Sequence, residues 1–366
     1  MSIMRPDTPP CHHDWRIGDI TASFADFSSL GDRLAFVFYD PWTVGAGLDH
    51  ALTARIVDEG MRIAAFQYRA LAEQDAEQIY RKNKPIRDDN AWHVPRQVYS
   101  MGVSCGIIFE TDAQCSQRIC RMKGFANPSR NSAGSLRYDF GAPNRSLSLM
   151  HSSDNWASML AECLVFFTPD ALRATFASVR SGPPGISPSA LACDPWRRTA
   201  ERIVERSPFR LLITVRERAA TVVTAAMGAH VSPTLRRLLH QLITQWGSAA
   251  ATMRDTDPIL DQARTYLQLV HAECAMVADV AKHVREWEAS DAGIVAYSPR
   301  LYCARTPRVL PVMELLVRLT MPERYAVTDA ELLCDRSGLC VDRWERLLFV
   351  TTLFDFNDYI SGVHAR

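Results

Sequence analysis

The stretch from Leu147 to Phe167 carries the residues of this chain best spaced for chemistry. Alternation over Ser146–His151 predicts a strand that delivers His151 to a sheet end, and Ser153, Asp154 or Asn155 is then placed to cap a following helix. In that helix Trp156, Met159, Leu160, Cys163, Leu164 and Phe167 recur at helical spacing and form one apolar stripe, with Glu162 at its edge. A helix folded back beside the strand brings the Glu162 carboxylate near the His151 ring. Such a partner fixes one imidazole tautomer and stabilises positive charge on the ring during nucleophilic attack. Ser153, at the start of the helix, could hydrogen-bond a phosphate oxygen where backbone N–H groups also favour an anion.

The elements that must position these groups are legible upstream. Leu34–Tyr39 reads as a buried strand stopped by Asp40-Pro41, and a helix follows with Leu48, Leu52, Ile56 and Val57 on one side and Gly60 as its cap. Met61–Leu71 is a second strand, Ala72–Lys82 a second helix, Val103–Glu110 a third strand and Ala113–Lys123 a third helix. Four strands with interposed helices imply an α+β sandwich of the ferredoxin-like kind. The run Ser181-Gly182-Pro183-Pro184-Gly185-Ile186-Ser187-Pro188-Ser189 reads as a linker. Beyond it the chain is helical, with periodic segments at 197–205, 235–246, 258–287, 308–319, 329–334 and 342–354. The expected organisation is an N-terminal arm over 1–32, an α+β domain over 33–180, a linker over 181–194 and an all-α domain over 195–366.

Composition narrows the partners. Among 366 residues 47% are hydrophobic, so a sizeable core is expected, and 41 basic residues balance 41 acidic ones, so no whole-chain field favours nucleic acid or an anionic membrane. Residues 195–366 are also near neutral, so the helix-turn-helix look of Val327–Leu348 around Gly338 reads as a packed helix pair. Ten scattered cysteines include no CxxC pair, His240, His271 and His283 are too far apart to share a metal, and no metal-ligand set is expected. The Arg197-Arg198 and Arg236-Arg237 pairs read as solvated surface. The opening residues lack an apolar signal region and no stretch is long and apolar enough to span a membrane, which implies a cytoplasmic protein. Basic residues are 37 Arg and four Lys, so chemistry that needs a lysine has few candidates.

At these residues the sequence resembles nucleoside diphosphate kinases over about residues 33–172. The active-site segment of that family reads histidine, glycine, serine, aspartate and then a helix bearing glutamate; here it stands as His151-Ser152-Ser153-Asp154 with Glu162 at the family's spacing. Ser135-Leu136-Arg137-Tyr138-Asp139-Phe140 is similar to the segment around the phosphate-binding arginine. Gly124-Phe125-Ala126-Asn127-Pro128 is similar to a loop of glycine, any residue, threonine, asparagine and proline, and Glu77–Asn83 to the helix bearing the active-site tyrosine. The resemblance implies phosphoryl transfer from ATP or another nucleoside triphosphate with Mg²⁺, through a phosphohistidine, to a nucleotide or other small-molecule acceptor, and assembly into a homo-oligomer. It implies His151 as nucleophile, Glu162 and Ser153 as its supports, Tyr80 beside it, and Arg137 with Arg118 or Arg121 on phosphate. The departures are informative. The lysine after the first strand is Tyr39, the loop threonine is Ala126, the asparagine three before the histidine is Ser148, and the base-stacking aromatic is Ile86, with Trp92 in a following insertion as a substitute. Each lost charge-assisted phosphate contact costs about 1.5–3 kcal/mol. That erosion also admits a non-catalytic nucleotide-binding sensor or assembly module.

Overall fold

Leu34–Tyr39 (β1) consists of six apolar or aromatic residues, all buried, because the strand lies inside the sheet with both faces covered. In the computed structural model, which describes residues 17–79, 93–182, 185–228, 232–289, 309–320 and 327–364, β1 pairs antiparallel with two strands. The sheet also contains Arg62–Ala70 (β2), Val103–Glu110 (β3) and Met150–Ser152 (β4), in the order β2-β3-β1-β4 with every pairing antiparallel. This is the expected α+β sheet, with β1 and β3 at the bounds read from sequence. β4 is shorter than the alternation from Ser146 implied. Leu149 stands just before it at φ 68°, a left-handed conformation that ends regular pairing, and its carbonyl accepts a 2.6 Å hydrogen bond from Thr43 Oγ1.

The helices about this sheet are Ile17–Ser23 (α1), Pro41–Gly45 (α2), Asp49–Asp58 (α3), Glu73–Ile79 (α4), His93–Ser100 (α5), Cys115–Lys123 (α6), Leu136–Asp139 (α7), Trp156–Phe166 (α8), Pro169–Ser181 (α9) and Ser189–Cys193 (α10). The first compact unit is made of 1–126, 131–142 and 146–204. Its described residues reach beyond 33–180 on both sides and leave out 127–130 and 143–145. Phe24, within the stretch read as an arm, is fully buried, with its ring 5.8 Å from that of Phe176 on α9. Ile186 bridges to Ile63 of β2, and Leu191 is buried. Proline and glycine interrupt ladders there, yet the Ile186 backbone pairs with Ile63 while its side chain stays exposed, and the Leu191 side chain is buried.

The segment Arg197–Thr199 is a single 3₁₀ turn rather than a long helix; Arg198 is exposed, whereas Arg197 is not solvated surface. Arg197 donates from Nε to Asp49 Oδ2 at 2.8 Å and from Nη2 to Oδ1 at 3.0 Å, and Tyr68 donates to the same carboxylate at 2.5 Å. Asp49 is wholly buried at the start of α3. A bidentate guanidinium satisfies a buried carboxylate that would otherwise carry a large desolvation penalty.

The second unit comprises 127–130, 143–145 and 205–366. It contains Pro208–Met227 (α11), Pro233–Thr252 (α12), Ile259–Glu288 (α13), Val309–Arg318 (α14), Val327–Ser337 (α15), Arg343–Phe354 (α16) and Phe356–His364 (α17). Side chains of Ser207, Ser232 and Asp342 cap α11, α12 and α16. Arg216 and Glu273 form an ion pair at the centre of this unit, with Trp246 donating to Glu273 and the Arg216 guanidinium 4.8 Å from the Trp246 ring centroid. The pair α15 and α16 is packed as expected, turning at Gly338, and Arg218 holds Glu345 at 2.6 Å. The short segment 143–145 is bonded within the same unit: Asn144 Nδ2 donates to Thr351 Oγ1 at 2.8 Å and the Arg145 N–H to Asp355 Oδ2 at 2.9 Å.

Arg197→Ala leaves the Asp49 carboxylate buried without its cation, and the expected loss of stability is about 3 kcal/mol or more. Arg197→Lys restores one bond of the two and recovers part of it. Urea denaturation of the two variants checks the order wild type, Lys, Ala.

Candidate active site

His151 lies in the middle of β4, opposite Phe38 of β1. Asn155 is the residue that caps α8, its side chain accepting from the Ser158 N–H at 3.0 Å. This starts the helix four residues after His151. Burial of Met159, Leu160, Cys163 and Leu164 then turns α8 back along the sheet, with Phe166 against Phe36 and Phe38. Glu162, two turns in, meets the imidazole: His151 Nε2 is 3.0 Å from Glu162 Oε2. The same oxygen accepts from Ser153 Oγ at 2.6 Å. A carboxylate only accepts, so the ring proton resides on Nε2 and Nδ1 carries the lone pair. Ser153 is fully buried and supports Glu162, not the phosphate position the helix start suggested.

Arg137 enters from α7 and is nearly buried. Its Nε donates to the Ser148 carbonyl at 2.9 Å, Nη1 to that of Gly124 at 3.0 Å, and Nη2 to that of Met150 at 2.7 Å and to Ser148 Oγ at 3.2 Å. Arg137 and Ser148 therefore meet each other on the approach to His151, and the guanidinium braces the backbone that carries it. Arg118 is held elsewhere, donating to Thr111 Oγ1 at 2.8 Å and to the Glu59 carbonyl at 2.6 Å. Thr111 lies five residues along the chain from Gly106, the β3 partner of Phe38, or about 17 Å at a strand's rise. The structure thus does not bring Arg118 to His151, and Arg121 is exposed on α6. Tyr39 is buried with its hydroxyl accepting from Thr53 Oγ1 at 3.1 Å, and burial pushes its phenol pKa up. Cross-strand register puts Tyr39 with Met150 on one face of the sheet and His151 with Phe38 on the other. Tyr80, Ile86 and Trp92 lie outside the described residues.

One group at this strand was missed by sequence reasoning. Lys123, the last residue of α6, donates from Nζ to Ser152 Oγ at 2.7 Å, and Cys120 Sγ lies 3.6 Å from the same oxygen. Residues 120 and 123 share a helix face, so a cation one turn beyond a residue turned toward the sheet was the available signal. Burial lowers the Lys123 pKa, Arg137 lowers it further, and the carboxylates of Asp154 and Glu162 act in the opposite direction. Among the described residues no group of three or more His, Cys, Asp or Glu side chains is placed to hold a metal ion. No helix among them is long and apolar enough to cross a membrane.

A four-stranded antiparallel sheet with a histidine on its edge strand, held by a buried glutamate, defines the class of domain. The family model for nucleoside diphosphate kinase matches residues 35–172. A nucleoside diphosphate kinase of Moorella thermoacetica (strain ATCC 39073 / JCM 9320) is 29% identical over 139 residues, which span 37% of this chain and 95% of that protein. Among solved structures, a nucleoside diphosphate kinase family protein from Babesia bovis is 22% identical and a halophilic nucleoside diphosphate kinase from Halobacterium salinarum, in complex with CDP, is 20% identical. Each match covers 38% of this chain and 90% of the other, with a TM-score of 0.35. Residues 35–172 are a nucleoside diphosphate kinase-like domain, and the C-terminal region beyond the match is largely helical.

Asp40, where β1 ends, caps α2 by accepting from the Thr43 N–H at 2.7 Å, and burial raises its pKa from 3.8 to about 6 despite that bond and the nearby Arg137 charge. Because the folded value lies above the ordinary one, the fold holds the proton more tightly than the unfolded chain. The resulting penalty is absent below about pH 4 and complete above about pH 6, where it reaches about 3 kcal/mol. Asp40→Asn keeps a capping oxygen without the charge. It is expected to raise the unfolding free energy at about pH 7.5 and to leave it unchanged at about pH 4, which denaturation at the two pH values checks.

Proposed function

We propose that this protein is a divergent phosphotransferase that moves the γ-phosphoryl group of a nucleoside triphosphate through a phosphohistidine at His151 to a nucleotide or another small-molecule acceptor. The observation that carries the reading is the pairing of His151 Nε2 with a buried Glu162 that Ser153 also supports. The family match of 35–172 gives that pairing its context. In the first step the Nδ1 lone pair attacks the γ-phosphorus. A nitrogen–phosphorus bond forms, the bond from phosphorus to the bridging oxygen breaks, and the nucleoside diphosphate departs. Positive charge grows on the ring as it does so, and the Glu162 carboxylate at Nε2 stabilises it. In the second step an acceptor oxygen attacks the phosphorus, the nitrogen–phosphorus bond breaks with its electron pair returning to Nδ1, the acceptor's proton passes to solvent, and His151 is back in its starting state.

Arg137 suits the phosphate end by charge and by its position on the approach to β4. Mg²⁺, held by phosphate oxygens and water in keeping with its reluctance to dehydrate, would neutralise phosphate charge there. The active chain is read as cytoplasmic and as a candidate homo-oligomer.

A second reading, a non-catalytic nucleotide-binding sensor or assembly module, is favoured by one observation. Four Arg137 hydrogen bonds go to the protein itself, so its guanidinium has a structural task whether or not phosphate binds.

Incubation with γ-labelled ATP and GTP separates the two. Transfer requires acid-labile label on the wild-type protein, absent from His151→Ala and formed about 10²-fold more slowly in Glu162→Gln. A sensor instead gives nucleotide-dependent thermal stabilisation that survives His151→Ala, with no label on any variant.

A further inference from the structure

A continuous helix does not bring residues six apart together. Positions 334 and 340 of such a helix would stand about 9 Å apart along the axis and point about 120° apart around it. Cys334 and Cys340, both free thiols, nevertheless meet, with their Sγ atoms 3.2 Å apart. The turn that ends α15 makes the contact. Ser337 Oγ donates to the Cys334 carbonyl at 2.9 Å, the Gly338 N–H donates to the same carbonyl at 3.1 Å, and Gly338 takes φ 63°. That left-handed residue stops the helix and sends Leu339 and Cys340 back over its last turn.

The turn is fixed from both sides of Cys340. Arg218 on α11 donates to the Leu339 carbonyl at 3.1 Å and holds Glu345 at 2.6 Å, and the Val341 N–H donates to Glu345 Oε2 at 3.0 Å. The backbone around Cys340 is therefore bonded before any change at sulfur. A sulfur–sulfur bond is about 2.05 Å long, so an approach of about 1 Å closes it, which side-chain rotation supplies without moving this frame. Cys334 is buried and Cys340 only partly so, which leaves a small oxidant a way in through Cys340.

The surroundings give the two sulfurs different tasks. Arg346 on α16 bonds Asp335 at 2.8 and 3.0 Å and Glu331 at 3.3 Å, so its charge is pinned against the last two turns of α15, where Cys334 lies. The hydrogen bond with the Cys340 thiol and the Arg346 charge push the Cys334 thiol pKa down, against burial and the carboxylates of Asp335 and Glu331. The Cys340 thiol is pushed up by its bond with Cys334 and by burial. Cys334 is suited to attack as a thiolate, and Cys340 to keep its proton until a resolving step.

We propose that Cys334 and Cys340 form a reversible dithiol–disulfide site, oxidised by a hydroperoxide such as H₂O₂ and reduced by a small dithiol, that locks the turn between α15 and α16. The Cys334 thiolate attacks one peroxide oxygen, the O–O bond breaks, and hydroxide leaves and takes up a proton. Cys334 is then a sulfenic acid. The Cys340 sulfur attacks it, a sulfur–sulfur bond forms, the sulfur–oxygen bond breaks, and a second water carries off the Cys340 proton. The two thiols lose two electrons, and one peroxide is reduced to two waters. The proposal does not depend on the phosphotransfer reading.

The reduced full chain, exposed to H₂O₂, blocked with iodoacetamide and digested with trypsin, provides the test by mass spectrometry. Trypsin cuts after Arg336, between the two cysteines. The expected product is one linked pair of peptides, two hydrogens lighter than their sum, that dithiothreitol separates. Exposed Cys193 and Cys274 are the reference thiols, and the linked pair is expected to form about tenfold faster than either of them is consumed. In Cys340→Ser, which lacks the resolving sulfur, Cys334 is expected to take dimedone, a reagent for sulfenic acid. In Cys334→Ala no linked peptides form. The oxidised wild type is expected to unfold at a higher temperature than the reduced chain and to lose that gain in dithiothreitol, with no gain in Cys340→Ser. Alkyl groups retained on both cysteines at a peroxide dose that consumes Cys193 and Cys274 overturn the proposal. So does linkage of Cys334 to a cysteine other than Cys340. Dimedone on Cys340 in Cys334→Ala, with none on Cys334 in Cys340→Ser, overturns the assignment of Cys334 as the attacking sulfur.

Discussion

One carboxylate oxygen organises this domain. Glu162 Oε2 accepts from the His151 ring and from the Ser153 hydroxyl, and Glu162 is buried while it does so. A buried carboxylate is tolerated only when its hydrogen-bond capacity is met with good geometry, so the turn from β4 into α8 must hold these residues in fixed relation. Asn155 sets where α8 begins, and the packing of Phe166 on Phe36 and Phe38 sets how it lies on the sheet. The backbone entering β4 is held from the other side by Arg137 on Ser148 and Met150 and by Thr43 on the strained Leu149 carbonyl. That much support around one three-residue strand suits a ring nitrogen that has to stay aimed.

Much of this was readable because it is local. The distance from His151 to Glu162, the capping residues and the apolar stripe all lie within one strand–turn–helix unit, where spacing in sequence fixes spacing in the fold. The strands β1 and β3 were equally clear, being continuous apolar runs between turn residues. What could not be read is what depends on pairing between distant segments. Lys123 and Ser152 are 29 residues apart, and only the packing of α6 against β4 brings them together. Arg197 and Asp49 are 148 apart, and a stretch rich in proline, glycine and serine between the domains gave no hint that the chain beyond it returns to α3. Neither contact follows from periodicity, which reports the face of an element and not its partner.

The arginine positions are a related case. Arg118 and Arg121 were both open as the second phosphate-binding arginine because a local gap in the resemblance left the match there ambiguous. The structure fixes the phase of α6 through Cys120 and Lys123, which face Ser152, and it carries Arg118 to the opposite end of the sheet. A rotation of one helix therefore decides which cation stands near β4. The positive charge on the sheet face of Tyr39 comes from Lys123 through the packing of α6 on β4 and not from position 39.

The boundary of the family match and the boundaries of the compact units do not coincide. The match spans 35–172, yet 127–130 and 143–145 belong to the second unit. Within that unit the Pro143 carbonyl accepts from Tyr359, Asn144 bonds Thr351, and Arg145 bonds Asp355. Helices α16 and α17 thus close over a segment that the kinase-like sequence supplies, and they satisfy backbone and amide groups that a free-standing domain would leave to water or to a partner subunit. The first of the two segments begins directly after Ala126, the position where the resembled loop carries its phosphate-contacting threonine. Short segments whose backbone and amide groups are bonded into a helical core are held by the packing of that core.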